Sequence, residues 1–237
     1  MPASTPSVAR LNRALPRVDH LWDATLSRTL SSLNLRPGAK CLTLGRGLAQ
    51  VARWLGARGA SVTAVPSAAV DERLNGHRYD LVHVRHHLAL APDRSRALKK
   101  LVGAVRPGGW LVVEEYDMRP LTLLEPFSPA WTAVTYSTLA LLEEQGADPF
   151  IGTRLHRQLL ALGLDEVQAV GRSETVPTPA IASKIRPLFE SVADDLVGNN
   201  LVTVDEYHEA ICRLAPEGDP PTTSTPAMIT ARGRKPR

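Results

Sequence analysis

Short stretches at 40–44, 61–65, 80–84 and 110–115 are apolar almost throughout and alternate with segments of helical periodicity. This alternation narrows the fold more than any other feature of the chain. A strand with one wet face alternates apolar and polar residues, whereas a strand covered on both faces reads as a continuous apolar run. Between these runs, 50–58 reads as a helix closed by Gly59, and 95–105 as a helix with Leu98, Leu101 and Val102 inward. Pro66 stops the second strand, and Arg106-Pro107-Gly108-Gly109 predicts a tight turn into the fourth. Strand following helix in this order predicts an α/β protein with a parallel sheet and right-handed crossovers.

The chain has 237 residues and 43% hydrophobic content, enough for one domain with a sizeable core. Residues 1–17 are rich in Pro, Ser and Arg and are expected to be flexible, leaving 18–237 as a single domain. Residues 18–33 follow as an amphipathic helix bearing Leu21, Trp22, Leu26, Leu30 and Leu33. After Tyr116 the pattern changes: helices are expected at 130–144, 153–162, 180–197 and 204–213. Strands at 167–172 and 227–231 are expected to form an antiparallel edge.

No apolar run reaches the roughly eighteen residues of a membrane span, and the first residues lack the basic-then-apolar order of a signal peptide. Two cysteines, one of them in an apolar strand, exclude a disulfide framework and suit a cytoplasmic protein with free thiols. The net charge of +4 is concentrated in the tail 231–237, with no aromatic–basic interleaving. Nucleic-acid binding and membrane association are therefore not expected; a small-molecule partner is.

One segment carries a ligand-site pattern: Cys41-Leu42-Thr43-Leu44-Gly45-Arg46-Gly47-Leu48-Ala49, a strand entering a glycine turn and then a helix. Gly45 and Gly47 permit a ligand to approach the backbone closely. Open α/β sheets place ligands at the carboxyl ends of their strands, which selects Arg85, His86 and His87, then Glu114, Glu115, Tyr116 and Asp117. Histidine titrates near neutrality, so His86 and His87 are candidate acid–base groups, together with Glu115. Glu114 and Glu115 alternate sides of a strand, so one faces the cleft and the other a helix end or solvent. His83 points into the sheet, and no Cys, Asp or Glu spacing matches it, so no metal site is expected.

The order of several motifs resembles the class I S-adenosylmethionine (SAM) dependent methyltransferases, particularly bacterial ones acting on small molecules. These are Arg36-Pro37-Gly38, Gly45-x-Gly47, Tyr79-Asp80-Leu81-Val82-His83, Leu88 to Pro92-Asp93, and Leu101 through Arg106-Pro107-Gly108-Gly109-x-Leu111. Gly152-x-x-Leu155 through Ala161-x-Gly163-Leu164 and the closing Ile229-x-Ala231-x-Gly233-Arg234 continue the likeness. The resemblance implies a Rossmann-like sheet and a helical cap insertion at about 117–150 over the acceptor, with Tyr116, Trp131 and Tyr136 as substrate contacts. It implies SAM at Gly45 and Gly47. Thr43 stands where the family has an acid, and Ser67, or the displaced Asp71, where the family's second acid receives the ribose hydroxyls. Each lost charge-assisted hydrogen bond weakens binding by about 1.5–3 kcal/mol. The interval 66–78 is too short for the family's usual helix and third strand, so the sheet is expected to lack one edge strand.

Two functions follow. The departures favour a protein of small-molecule metabolism, natural products and antibiotic biosynthesis included, whose degraded SAM site leaves a cofactor-independent cyclase or isomerase, or a binding partner. Enclosing one substrate can itself accelerate a unimolecular reaction. The alternative is an active SAM-dependent methyltransferase acting on an oxygen, nitrogen or carbon nucleophile. A pseudoenzyme subunit supporting a catalytic homologue, or pairing as a homodimer, completes the set.

Overall fold

The computed structural model describes residues 23–45, 47–65, 74, 76, 78–215 and 218–237. The segment 1–17 and the start of the expected helix at 18–33 lie outside them, as do Ser67, Asp71 and most of 66–78. Among the described residues the strands are β1 (Lys40–Gly45), β2 (Ser61–Val65), β3 (Tyr79–Arg85), β4 (Val105–Asp117), β5 (Leu124–Glu125), β6 (Asp165–Arg172), β7 (Thr175–Pro177), β8 (Thr222–Ser224) and β9 (Ala227–Arg234). The helices are α1 (Asp23–Ser31), α2 (Leu48–Gly56), α3 (Arg94–Ala104), α4 (Pro129–Glu144), α5 (Leu155–Ala161), α6 (Thr178–Glu190), α7 (Ala193–Gly198) and α8 (Val204–Cys212). The described residues divide into two compact units, one within 23–116, 150–172 and 228–237, the other within 117–149 and 173–227.

The first unit is a six-stranded sheet in the order β2-β1-β3-β4-β9-β6. β1 runs parallel to β2 and β3, and β3 parallel to β4, as the apolar runs predict. β3 is buried at every position, the mark of a central strand covered on both faces. β6 and β9 are antiparallel, forming the expected late pair. Among the described residues β2 is an edge strand of this sheet.

Leu26, Leu30 and Leu33 join Val51 and Leu55 in one core cluster with Cys41, Leu81, Trp110 and Val112 of the sheet. The expected turn at 106–109 lies inside β4 rather than before it. Val105 pairs with Tyr79 and Trp110 with Leu81, so four residues bulge between consecutive pairings. Gly109 packs tightly there, since a Cβ would sit 2.9 Å from Asp80 O. The residue after β9 locks this bulge: Lys235 exchanges backbone hydrogen bonds with Gly108 and Gly109, both at 2.9 Å. Its Nζ donates to Val102 O (3.0 Å) and Val105 O (2.8 Å).

The second unit holds α4, α6, α7 and α8 with a small antiparallel sheet in the order β5-β8-β7. α4 begins at Ser128, whose Oγ accepts from Trp131 N (3.2 Å), with Pro129 in its first turn. α8 begins with a reciprocal capping box between Thr203 and Glu206. The helix expected at 180–197 is two helices, α6 ending at Glu190, where Ser191 Oγ donates to Leu188 O (2.7 Å). Trp131 and Phe189 lie at the centre of this unit with ring centroids 5.4 Å apart.

Candidate functional site

β1 delivers the glycine turn. Gly45 has φ +106 and pairs with Arg85, so closely that a Cβ would stand 1.8 Å from Arg85 O. Only glycine fits that approach. Gly47, at φ +64, is the N-cap of α2. No side chain caps this helix and its first turn has no acid, so its amino-terminal N–H groups remain for an anionic ligand group.

Parallel register then builds a polar network inside the sheet. Thr43 lies beside His83, and Gly45 and Glu114 flank Arg85. Thr43 Oγ1 lies 2.8 Å from His83 Nδ1, and His83 Nε2 lies 3.0 Å from Glu114 Oε2. Arg85 Nε donates to the same oxygen at 2.7 Å, and Thr230 Oγ1 donates to Glu114 Oε1 at 3.1 Å. All five residues are buried. Burial pushes the Glu114 carboxyl up, but the charge of Arg85 and the hydrogen bonds from His83 and Arg85 outweigh it and bring it down to about 2. Burial lowers the pKa of His83, against the pull of Glu114. A neutral His83 accepting from Thr43 at Nδ1 and donating to Glu114 at Nε2 satisfies both contacts.

At the carboxyl ends of β3 and β4 the backbone turns sharply. His86 takes φ +51, uncommon for a residue with a side chain, and its N–H donates to Glu114 O (3.0 Å). Its ring stacks on Tyr116 with centroids 4.1 Å apart, and it is only 4% exposed. His86 is thus a packed residue rather than a solvated loop side chain. His87 is half-buried. Its N–H and that of Leu88 donate to Glu115 Oε1 at 2.8 and 2.6 Å. Glu115 is therefore the member of the glutamate pair that meets a helix end, here the 3₁₀ turn Leu88–Leu90. Its Oε1 is thereby committed to backbone donors. Asp117 accepts from Arg119 N (3.0 Å) and pairs with its guanidinium.

The residues expected to touch substrate belong to both units. Tyr116 is buried under His86 in the first unit. Trp131, in the second, is 1% exposed and its indole N–H donates to Leu121 O (3.0 Å), which makes it a core residue and not a pocket wall. Tyr136 is 58% exposed and lines a cavity of about 420 Å³ within the second unit. Ser67 lies outside the described residues. The sequence reading missed the partners of Thr43. A histidine and a glutamate at matching positions of apolar strands were the available signal, and strand register was what it lacked.

Among the described residues no group of three His, Cys, Asp or Glu is placed to hold a metal, and no helix is long and apolar enough to cross a membrane.

No family model matches the chain. Among curated proteins, methyltransferase str2 of Strobilurus tenacellus is 28% identical over 83 residues, which is 35% of this chain and 30% of that protein. The matched stretch thus spans less than a third of the relative's length. Among solved structures, a protein of Bacillus halodurans C-125 provisionally described as a methyltransferase aligns with TM-score 0.55 at 14% identity, over 90% of this chain and all of that one. YjhP of E. coli aligns with TM-score 0.51 at 15% identity, over 97% and 99% of the two chains. The phosphoethanolamine N-methyltransferase 2 of Haemonchus contortus, in complex with phosphomonomethylethanolamine and S-adenosylhomocysteine, aligns with TM-score 0.50 at 12% identity. That match covers 99% of this chain and 58% of the other. With its sheet order, its glycine turn and these likenesses together, the chain has the Rossmann-like fold of the class I SAM-dependent methyltransferases.

Proposed function

We propose that the chain is a SAM-dependent methyltransferase acting on an oxygen, nitrogen or carbon of a small molecule. The observation that carries this reading is the turn between β1 and α2. It keeps two glycines at positive φ and an uncapped, acid-free helix amino end, features suited to the amino-acid end of the cofactor. The backbone of Gly45 and Gly47 and the N–H groups of α2 would hold the cofactor's carboxylate, and Ser67 its ribose hydroxyls. Bound SAM supplies an electrophilic methyl group on a sulfonium. His86, fixed by its stack on Tyr116, and His87, fixed through the Glu115 bond to its N–H, are the imidazoles offered for the proton that an acceptor loses.

Isothermal titration of the full chain with SAM and with S-adenosylhomocysteine tests this. Micromolar binding is expected, and G47V, which forces a β-branched residue to φ +64, is expected to remove it. A folded wild-type protein giving no heat at millimolar ligand would overturn the reading.

One observation favours a second function. Thr43 brings no carboxylate to the end of β1, and Glu114 is compensated by Arg85, so the cofactor's ammonium meets no uncompensated acid from either residue. If SAM does not bind, this fold serves as a cofactor-independent cyclase or isomerase, or as a non-catalytic subunit of a homologue.

A further inference from the structure

The second unit has a cavity of its own, within the size range that holds drug-like molecules. Its walls are unusual for this protein. Leu123, Phe127 and Tyr136 are 61%, 68% and 58% exposed, the three most exposed of the seven large apolar side chains left in solvent among the described residues. All three border this one cavity. Scattered apolar side chains need no explanation, but a cluster around a concavity marks an interaction site.

Three of the lining hydroxyls have settled partners. Thr122 Oγ1 donates to Arg119 O (2.8 Å), Thr132 Oγ1 to Ser128 O (3.1 Å) and Thr223 Oγ1 to Leu123 O (2.8 Å). With their hydrogens committed to main-chain carbonyls, these hydroxyls offer a ligand only acceptor lone pairs. The one ionisable side chain in the lining besides the phenol of Tyr136 is Glu125, which makes no ion pair among the described residues. An anionic cavity walled by two aromatic rings selects a cation with an apolar body.

We propose that this cavity binds a small apolar, ring-containing amine in its ammonium form, the ring against Phe127, Leu123 and Tyr136 and the charge at Glu125. The site is built within one unit and its ligand is defined without reference to methyl transfer.

The test uses the full chain without SAM and three probes of one shape. These are 1-naphthylmethylamine, a cation at neutral pH, 1-naphthylmethanol, neutral, and 1-naphthylacetate, an anion. Calorimetry is expected to rank them cation, neutral, anion. E125Q should weaken the amine about threefold to fivefold, the upper range for a solvent-exposed ion pair, and leave the alcohol unchanged. F127A and Y136A should each weaken both by about tenfold; these side chains are largely exposed, so both variants fold, as circular dichroism will verify. Equal affinity for all three probes, or wild-type binding by F127A and Y136A, overturns the proposal. So does a dimer in sedimentation velocity that F127A or Y136A dissolves, because the patch is then an interface with a second copy. Amine binding alongside an inert SAM titration would sink the methyl-transfer reading and leave this one standing. SAM binding without amine binding would do the reverse.

Discussion

Replacing Arg85 by methionine removes the cation that compensates a buried carboxylate. Glu114 is held at about 2 against an ordinary value of 4.5, a displacement worth about 3 kcal/mol of folding stability at neutral pH. Breaking a buried ion pair from one side costs a similar amount, about 3–5 kcal/mol. His83, 3.0 Å from the same oxygen, can take up a proton and replace part of the lost charge, which sets the expectation for R85M at the lower figure. The sign with pH follows. A depressed carboxyl contributes stability above its unfolded value, and wild type loses that contribution as pH falls from 4.5 towards 2. In R85M burial dominates Glu114, its carboxyl rises, and acid relieves the variant. Urea unfolding followed by circular dichroism should therefore show a gap of about 3 kcal/mol at pH 7 that narrows at pH 3. The double variant R85M/E114Q should recover most of the loss, because no buried charge remains unpaired. A gap below about 1 kcal/mol at pH 7, a gap independent of pH, or additive single effects would refute the reasoning.

Two further outcomes follow from the first unit. G45A places a methyl group 1.8 Å from Arg85 O at a φ that side chains rarely adopt, and should cost more than about 3 kcal/mol or abolish soluble expression. A wild-type melting temperature for G45A would show that the two strands do not approach so closely. Cys41 is buried, and burial with the nearby Asp80 charge pushes its thiol up to about 12, whereas Cys212 is exposed. A thiol reagent at pH 8 should label one cysteine in the native protein and the second only in denaturant; two rapid labels would contradict the burial.

The sheet was legible because its central strands β1 and β3 hold apolar runs long enough to read by themselves, at 40–44 and 80–84. The small sheet was not. β5, β7 and β8 are two or three residues each, too short for any periodicity, and exist through pairings such as Leu124 with Thr223 that the linear pattern does not encode. Trp131 and Tyr136 show the same limit on a helix. Both lie in an apolar segment suited to a cap, but five residues apart they point to different sides of α4, one to the core and one to solvent. At the glycine turn the sequence disclosed that Thr43 replaces an acid. It did not disclose that a glutamate two strands away reaches that threonine through a histidine, since this needs the register of three strands.

The position of β9 sets a schedule for the making of the protein. It lies between β4 and β6, yet among the described strands it is made after both. Until residues 227–234 have left the ribosome, β6 has no neighbour in this sheet and β4 presents an open edge. The clamp of Lys235 on the β4 bulge comes later still. An unpaired strand edge is a template for pairing with other chains. At about 5–20 residues per second the nascent chain spends seconds in that state. The sheet therefore stays open until β9 pairs, and a chain cut short before residue 227 would keep β4 as an exposed edge rather than form a smaller closed sheet.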